Sequence, residues 1–395
     1  TNEALQSSAT NLIAENSVML VTRSGILRHS LPVAINTKPV TMNQDMKALT
    51  PLEGVDSDYL YFAFCRFERE ILHNCCKGGT TVQSIEAPRL MAFEIPVAPL
   101  AEQRRIVAKI EELLSELDKG IENLKQARAQ LAVYRQALLK HAFEGKLTAA
   151  WRAARGKDSS SWSDAAVSNI LIGKPTNGRS VPDRAGGFRV LRLTSIKNGY
   201  IDLNQNKEGA WTEAEAADQI LHRGDFLISR GNGSLHLVGK GGLVLSDDRV
   251  AYPDTMVRMK VNPSVYDQRL FCYFWNSGIF RRQVESSART TAGIYKINQA
   301  LIMAYRFPLM PLAEQQAIVE ILDAQIPALD IVEADIDINL RKSEALRQAI
   351  LKKAFTGELV PQDPADEPAA ALLARIRAER AAEAAASPKR RAARL

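Results

Sequence analysis

The stretch RQALLKHAFEGKL at residues 135–147 recurs later in the chain as RQAILKKAFTGEL at residues 347–359. The pentapeptide PLAEQ also occurs twice, at residues 99–103 and 311–315. Both pairs have the same offset, because 347 − 135 and 311 − 99 each equal 212. The two segments enclosed by these motifs therefore have one fixed length, and an internal repeat organises the chain.

Each repeated segment has the apolar pattern of a long helix. In the first copy, two interleaved rows spaced by seven consist of Ile110, Leu117, Leu124, Leu131 and Leu138, and of Ile106, Leu113, Gly120, Ala127 and Tyr134. The second copy keeps the seam at Ile318, Leu322, Leu329, Val332, Ile336, Leu346 and Ile350. Alternating spacings of three and four predict a coiled coil. Gly145 and Gly357 fit the position just past a helix end.

The segments that precede the two helices correspond more weakly. MLVTRSG at residues 19–25 matches FLISRGN at residues 226–232, and GTTVQSI at residues 79–85 matches RTTAGIYKI at residues 289–297. Alternating and β-branched stretches bounded by Gly, Asn and Asp predict strands. We therefore predict an α+β fold, in which two strand-rich α/β domains are joined by two long helices that pair as an antiparallel coiled coil with pseudo-twofold symmetry.

The composition limits the class of protein. The 395 residues are 46% apolar without an apolar run long enough to span a membrane or a leader-like start, which predicts a soluble, cytoplasmic protein. The net charge is +6, but residues 375–395 carry seven basic and two acidic residues, a net of +5. DNA binding must then rest on how charges are placed. The four cysteines lack metal-ligand spacing, so no metal site is predicted.

The order of these motifs resembles the specificity subunits (HsdS type) of type I restriction-modification systems. The resemblance covers essentially the whole chain, and the segments at residues 188–203 and 224–240 resemble that family's target recognition domains. On this basis the predicted boundaries are 1–98 for the first recognition domain, 99–147 for the first helix, 148–161 for a linker, 162–310 for the second recognition domain, 311–359 for the second helix and 360–395 for an Ala- and Arg-rich tail, expected to be solvated and frayed.

The resemblance implies a function and a set of partners. Each recognition domain would read one half of a bipartite site in duplex DNA, and the helices would set the spacing and dock two DNA methyltransferase (modification) subunits. Restriction/translocase subunits would join the larger complex. S-adenosylmethionine, ATP and Mg are expected in those partner subunits, with no cofactor in this chain and no membrane contact.

The first recognition domain departs from the family pattern. When Arg23 is matched to Arg230, residue 1 falls near position 208, so a counterpart of roughly 162–207 is missing. We therefore expect the sequence to be truncated at its N-terminus.

The DNA-binding candidates lie on loops that recur in the two halves. SRGNGS at residues 229–234 combines a cation, an amide and glycines that permit a close approach to DNA, although a turn whose Arg pairs with a nearby carboxylate would look the same. Lys240, Arg28 and Arg23 are candidate phosphate contacts. The complete predicted set is Arg230, Asn232, Ser234, Lys240, Arg289, Thr290, Thr291, Tyr295, Lys296, Arg23, Arg28, Lys77, Thr80, Thr81 and Gln83.

No catalytic residue is predicted in this chain. Neither an adenine-methyltransferase tetrad nor a P-loop is present in the sequence. Two other functions remain open: a recognition module separated from a fused methyltransferase-endonuclease, and a coiled-coil scaffold that does not bind DNA.

Overall fold

The computed structural model describes residues 12–78, 82–157, 162–197, 199–291 and 293–392, without the side chains of Thr291 and of residues 383–392. The chain divides into two compact units. Unit 1 contains Thr1–Gln126 and Ile336–Leu395, and unit 2 contains Ala127–Asp335. Each unit therefore holds one recognition domain together with a part of each long helix.

The elements up to the end of the first long helix are short except for that helix. The strands are β1 (Val18–Val21), β2 (Arg23–Ser24), β3 (Val33–Ile35), β4 (Met46–Leu49), β5 (Cys76–Lys77) and β6 (Gln83–Ile85). The helices are α1 (Ser57–Arg66), α2 (Glu68–Cys75), α3 (Ala87–Met91) and α4 (Leu100–Phe143).

The second half repeats this order with additional strands. The strands are β7 (Ser163–Ala166), β8 (Thr176–Asn177), β9 (Asp183–Leu191), β10 (Asn206–Gly209), β11 (Asp225–Ser229), β12 (Gly231–Asn232), β13 (Gly241–Leu243), β14 (Met256–Lys260), β15 (Arg289–Thr291), β16 (Ile294–Lys296) and β17 (Arg306–Leu309). The helices are α5 (Ala149–Ala153), α6 (Glu213–Ala216), α7 (Gln268–Trp275), α8 (Gly278–Ser287), α9 (Gln299–Ala304), α10 (Leu312–Phe355) and α11 (Ala369–Ala392).

Each unit has a core between a small antiparallel sheet and a helix pair. In unit 1 the sheet order is β3-β1-β4, and the inward residues Val18 and Leu20 pack with residues of α1 and α2. In unit 2 the order is β13-β11-β14-β8, and Phe226 and Ile228 of β11 pack on α7 and α8. Alternate residues of a strand face the same side of the sheet, which explains why residues two apart in β1 and in β11 both point into the core. The predicted α+β class is confirmed.

The two long helices occupy equivalent stretches of the repeat, α4 at Leu100–Phe143 and α10 at Leu312–Phe355. Gly145 and Gly357, two residues past the ends of α4 and α10, have φ values of 71° and 76°, which glycine adopts without strain. In unit 2, Arg135 contacts Asp330, and Arg152 beyond the end of α4 contacts Glu314 near the start of α10. As the residue number rises along the first partner, the residue number of its partner on α10 falls. The helix segments of unit 2 are therefore antiparallel.

The helix segments of unit 1 also pair in an antiparallel manner. Asp118 of α4 forms an ion pair with Arg347 of α10. Arg105, nearer the start of α4, pairs with Asp366 beyond the end of α10. Ile106 and Ile110 pack in one cluster with Ile350, which the predicted seam places at the same interface.

Three predicted apolar seam positions are wrong. Tyr134, Leu346 and Val332 are 52%, 51% and 45% exposed, and the half-buried positions beside them are occupied by Arg135, Arg347 and Glu333. An α-helix has 3.6 residues per turn, so its inward face drifts away from a strict spacing of seven. Charged residues therefore take inward positions in the helix pairing of each unit, and these apolar side chains are left at its flank.

The C-terminal segment begins as an anchored helix, which corrects the expectation of a frayed tail. Leu372 in the first turn of α11 is fully buried, and its Cδ1 occupies the space where a Cβ on Gly54 would lie. Asp366 accepts hydrogen bonds from both Nη atoms of Arg105. An apolar contact and a bidentate ion pair thus hold the start of α11 within unit 1.

Candidate nucleic-acid interface

In unit 2 a three-stranded sheet brings the predicted residues together. Its order is β12-β16-β15, with Lys296 paired to Gly231 on one side and to Arg289 on the other. Tyr295 is likewise paired with Asn232 and Thr290. Two segments almost sixty residues apart in sequence therefore form one surface.

The two cations of this sheet face solvent. Arg289 and Lys296 are exposed, whereas Tyr295 is half-buried against the hydrophobic core, as strand alternation requires. Neither cation forms an ion pair with another residue that the structure describes. Thr290 is exposed beside them, and Thr291 contributes its backbone to the pair with Ile294.

The loop after β11 carries four other predicted residues. Arg230 is half-buried and its backbone joins the sheet by accepting a hydrogen bond from Ile297 N. The Oδ1 atom of Asn232 accepts from Ser234 N at 3.1 Å, which forms a local turn and leaves the amide NH₂ group as a donor. Lys240 is exposed at the far end of the loop.

Unit 1 contains the same sheet in reduced form. Its order is β2-β6-β5, and Ser84 of β6 pairs with Arg23 on one side and Lys77 on the other. Arg23 and Lys77 are exposed, and Gln83 is half-buried next to them. This cross-strand row of two cations corresponds to the Arg289–Lys296 row of unit 2, although the sequences differ.

The remaining candidates of unit 1 are placed less directly. Arg28 is exposed at the end of a 3₁₀ helix, Gly25–Arg28, that follows β2. Thr80 and Thr81 lie outside the described residues. The sheet therefore unites Arg23, Lys77 and Gln83, and Arg28 sits on the turn behind it.

A buried glutamine attaches each recognition domain to its helix, a role that the sequence did not reveal. Gln315 Oε1 accepts from Asp267 N at 2.7 Å, and its Nε2 donates to Val265 O and Met310 O. Gln103 makes the equivalent contacts with Asp56 N, Gly54 O and Ala98 O. The signal was its identity in both PLAEQ copies, since 315 − 103 is also 212.

The two aspartates link that attachment to helices that pack on the core sheets, α1 in unit 1 and α7 in unit 2. Asp56 caps α1 by accepting from Asp58 N and Tyr59 N, and Asp267 caps α7 by accepting from Arg269 N and Leu270 N. Such caps satisfy amide groups that the helix itself leaves unpaired. A chain of hydrogen bonds thus runs from the long helix through one glutamine to the helix that packs against the core sheet of its unit.

Unit 2 has a second attachment at Glu314. This carboxylate accepts from Thr148 Oγ1 at 2.7 Å, Arg152 Nη1 at 2.5 Å and Trp162 Nε1 at 2.9 Å. Burial by itself raises the pKa of Glu314, but these hydrogen bonds outweigh it and hold the pKa below its usual value. The network joins the start of α10 to the linker that follows α4.

The described part of the chain contains no cluster of metal ligands. Among these residues, no group of three His, Cys, Asp or Glu side chains could hold a metal ion. No helix described here has the length and apolar character needed to cross a membrane. The features that remain are two small sheets with exposed cationic rows, each fixed to a long helix.

Comparisons with known proteins agree with this arrangement. Residues 1–128 match the sequence family described as the type I restriction modification DNA specificity domain. The EcoKI specificity subunit of Escherichia coli (strain K12) is 32% identical over 316 residues, which cover 77% of this chain and 68% of the relative. The StySPI specificity subunit of Salmonella potsdam is 30% identical over 346 residues, which cover 85% and 74%.

Solved structures show the same fold. A chain from a study of complex assembly and conformational transition in the type I R-M system has a TM-score of 0.64 at 16% identity, covering 88% of this chain and 83% of that one. The HsdS subunit of Thermoanaerobacter tengcongensis has a TM-score of 0.51 at 18% identity, covering 88% and 82%. The protein class is a DNA sequence-recognition subunit. This chain belongs to the specificity subunits of type I restriction enzymes.

Proposed function

We propose that the two recognition domains read the two halves of a bipartite site in duplex DNA. The observation that carries this proposal is the repeated sheet, which presents Arg23 and Lys77 in unit 1 and Arg289 and Lys296 in unit 2. Two cations in one cross-strand row fit a phosphate backbone or the acceptor edge of guanine. A protein that reads one contiguous site with a single domain would not need a second copy of this sheet.

The amide side chains beside these rows are candidates for base contacts. Asn232 keeps its NH₂ donors available, and Gln83 lies next to the row of unit 1. Asn and Gln can pair with adenine in the major groove. We assign phosphate contacts mainly to the cations and base discrimination mainly to the amides and hydroxyls, because phosphate contacts position a protein and base contacts specify sequence.

The flanks of the long helices fit the docking of modification subunits. Tyr134 and Leu346 are repeat equivalents, since 346 − 134 is 212, and they are 52% and 51% exposed. Two equivalent exposed apolar positions fit two copies of one partner. In this proposal the chain has no catalytic activity, and adenine methylation and ATP-dependent cleavage, with S-adenosylmethionine, ATP and Mg, belong to modification and restriction subunits.

Co-purification with the cognate modification subunit tests the proposal. Wild type is expected to retain two modification subunits, Tyr134→Asp or Leu346→Asp to retain one, and the double variant to retain none. Ala129→Asp is the matched control, because Ala129 is exposed on α4 away from the seam. Wild type that retains no modification subunit, or methylation that proceeds without this chain, would contradict the proposed function.

A further inference from the structure

The loop between Ser229 and Gly241 is closed at its base by the backbone. Ser229 N donates to Lys240 O at 2.9 Å, and Gly239 N donates to Ser229 O at 2.8 Å. The enclosed segment contains Asn232 and Ser234, which the proposed function places at DNA. Contacts that hold the back of this loop in place therefore affect how its side chains contact the bases.

Two side chains at the junction of α7 and α8 hold the returning end of the loop. Trp275 is fully buried, and its Nε1 donates to Gly239 O at 2.6 Å. Asn276 binds both backbone groups of Gly241, accepting from its N at 3.2 Å and donating to its O at 2.9 Å. The path is confined, because a Cβ on Gly241 would lie 2.4 Å from the ring of Phe226.

Arg281 of α8 holds the 3₁₀ turn of the same loop. Its Nη2 donates to His236 O at 3.4 Å and to Glu285 Oε1 at 3.3 Å, and the side chain is only 11% exposed. Its Nη1 is buried without an acceptor among the described residues. Arg281 therefore holds the turn through Nη2, one of its two terminal nitrogens.

Unit 1 has a comparable contact with the opposite chemistry. There Glu68 at the start of α2 accepts from Leu31 N at 2.6 Å. Leu31 lies shortly after the 3₁₀ helix Gly25–Arg28, and His236 lies within the 3₁₀ helix Leu235–Leu237. In both units the second helix of the pair that packs on the core sheet, α2 in unit 1 and α8 in unit 2, holds the turn behind the cationic sheet, by an acceptor in unit 1 and a donor in unit 2.

We infer that Arg281 and Glu68 are positioning residues for sequence discrimination, each acting on the half-site of its own domain. The inference rests on the proposed function. Both side chains act through backbone groups of a turn and leave the exposed cations of the sheets untouched. If the turn is released, the cations should still bind phosphates, but the groups that read the bases lose their fixed geometry. Discrimination between DNA sequences should therefore fall more than the affinity for DNA.

Methylome sequencing of cells that carry the reconstituted system tests this inference. Arg281→Ala is expected to raise methylation of sites with one substitution in one half-site at least tenfold relative to the full site, and to leave the other half-site unchanged. Glu68→Ala should relax the other half-site only. Arg282→Ala is the matched control, because Arg282 is the exposed neighbour on the same helix and should change neither half.

Conservative variants separate positioning from folding. Arg281→Lys keeps a donor and Glu68→Gln keeps an acceptor, so both should retain most of the sequence discrimination. Asn276→Asp has the same shape but lacks the amide donor, and it should relax the same half-site as Arg281→Ala. Unchanged discrimination in all of these variants, or equal relaxation of both half-sites by Arg281→Ala, would overturn the inference. Failure of the proposed function is distinguishable, because wild type would then confer no motif.

Discussion

Arg135 Nη2 of α4 lies 2.5 Å from Asp330 Oδ1 of α10 in unit 2. The same contact recurs in unit 1 between Arg347 and Asp118 with the helices exchanged, because 347 − 135 and 330 − 118 both equal 212. Partly exposed ion pairs of this kind contribute about 1 kcal/mol or less. Their value lies in register, since the two pairs form together only when the two helices have matched lengths.

Unequal helix lengths should therefore disrupt function. A seven-residue insertion between Asp118 and Arg135 adds about 10 Å to α4 alone, and the two ion pairs cannot then form together. We expect methylation of the original site to be lost. A matching insertion between Asp330 and Arg347 should restore methylation at a site whose two halves are unchanged and whose spacer is longer by up to about 3 base pairs. Retained methylation of the original site with the single insertion would contradict a spacing role.

Substitution of either buried glutamine should loosen one domain. Gln315→Ala leaves the N–H of Asp267 and two carbonyl groups without their partner, so the free energy of unfolding should fall by about 2–4 kcal/mol. Gln103→Ala should have a similar effect in unit 1. Urea denaturation measures the loss, and Gln316→Ala, at an exposed neighbouring position, should stay within about 0.5 kcal/mol of wild type. A loss under 1 kcal/mol for both glutamine variants would refute the attachment role.

Glu314 should make unit 2 sensitive to acid. Because its pKa lies below the ordinary value of 4.5 in the folded chain, the folded state binds fewer protons there than the unfolded state. The contribution to stability is present above about pH 4.5 and is lost as the pH falls through the lower, folded-state pKa. Glu314→Gln leaves Arg152 buried without its counter-charge and should cost about 3 kcal/mol at pH 7.

Urea denaturation between pH 7 and pH 3 checks this expectation. The wild-type free energy of unfolding should fall more steeply than that of Glu314→Gln in the acid range, whereas the exposed Glu320→Gln should follow wild type. Parallel pH curves for wild type and Glu314→Gln would show that the network does not depend on the charge of this carboxylate.

The cationic row of unit 2 should contribute to DNA affinity in a salt-dependent way. Arg289→Ala and Lys296→Ala should each reduce the slope of log Kobs against log [salt] by about 0.9, because each removes one phosphate contact. Fluorescence anisotropy of the complex on duplex DNA measures this slope. Lys174→Ala, an exposed lysine of the same unit outside the sheet, should leave it unchanged. Equal slopes for all three variants would show that the cationic row of unit 2 does not contact DNA phosphates.

The repeat made the long helices and their ends predictable. A strict offset of 212 located α4 and α10, and Gly145 and Gly357 located the turns that stop them. Periodicity is a local property of a helix, so sequence alone carried it. The predicted seam was wrong at Tyr134 and Leu346, which were assigned inward, whereas Arg135 and Arg347 take that place because the inward face drifts.

The roles of individual polar residues were not predictable in the same way. Gln103 and Gln315 look like surface residues of a helix, and their burial depends on backbone groups about fifty residues earlier in the chain. Leu372 anchors the C-terminal helix because Gly54 leaves space for it, a long-range match without any sequence period. The recognition sheets were predictable as recurring segments, whereas the pairing of Lys296 with Gly231 and Arg289 required the fold.

The methylome of cells with and without this gene, in the presence of the modification subunit, tests directly whether the chain confers a bipartite site. We expect one bipartite adenine-methylated motif, two short specific halves separated by a fixed nonspecific spacer, that is present only when the chain is made. A motif that persists without the chain, or a single contiguous motif that both domains share, would contradict it.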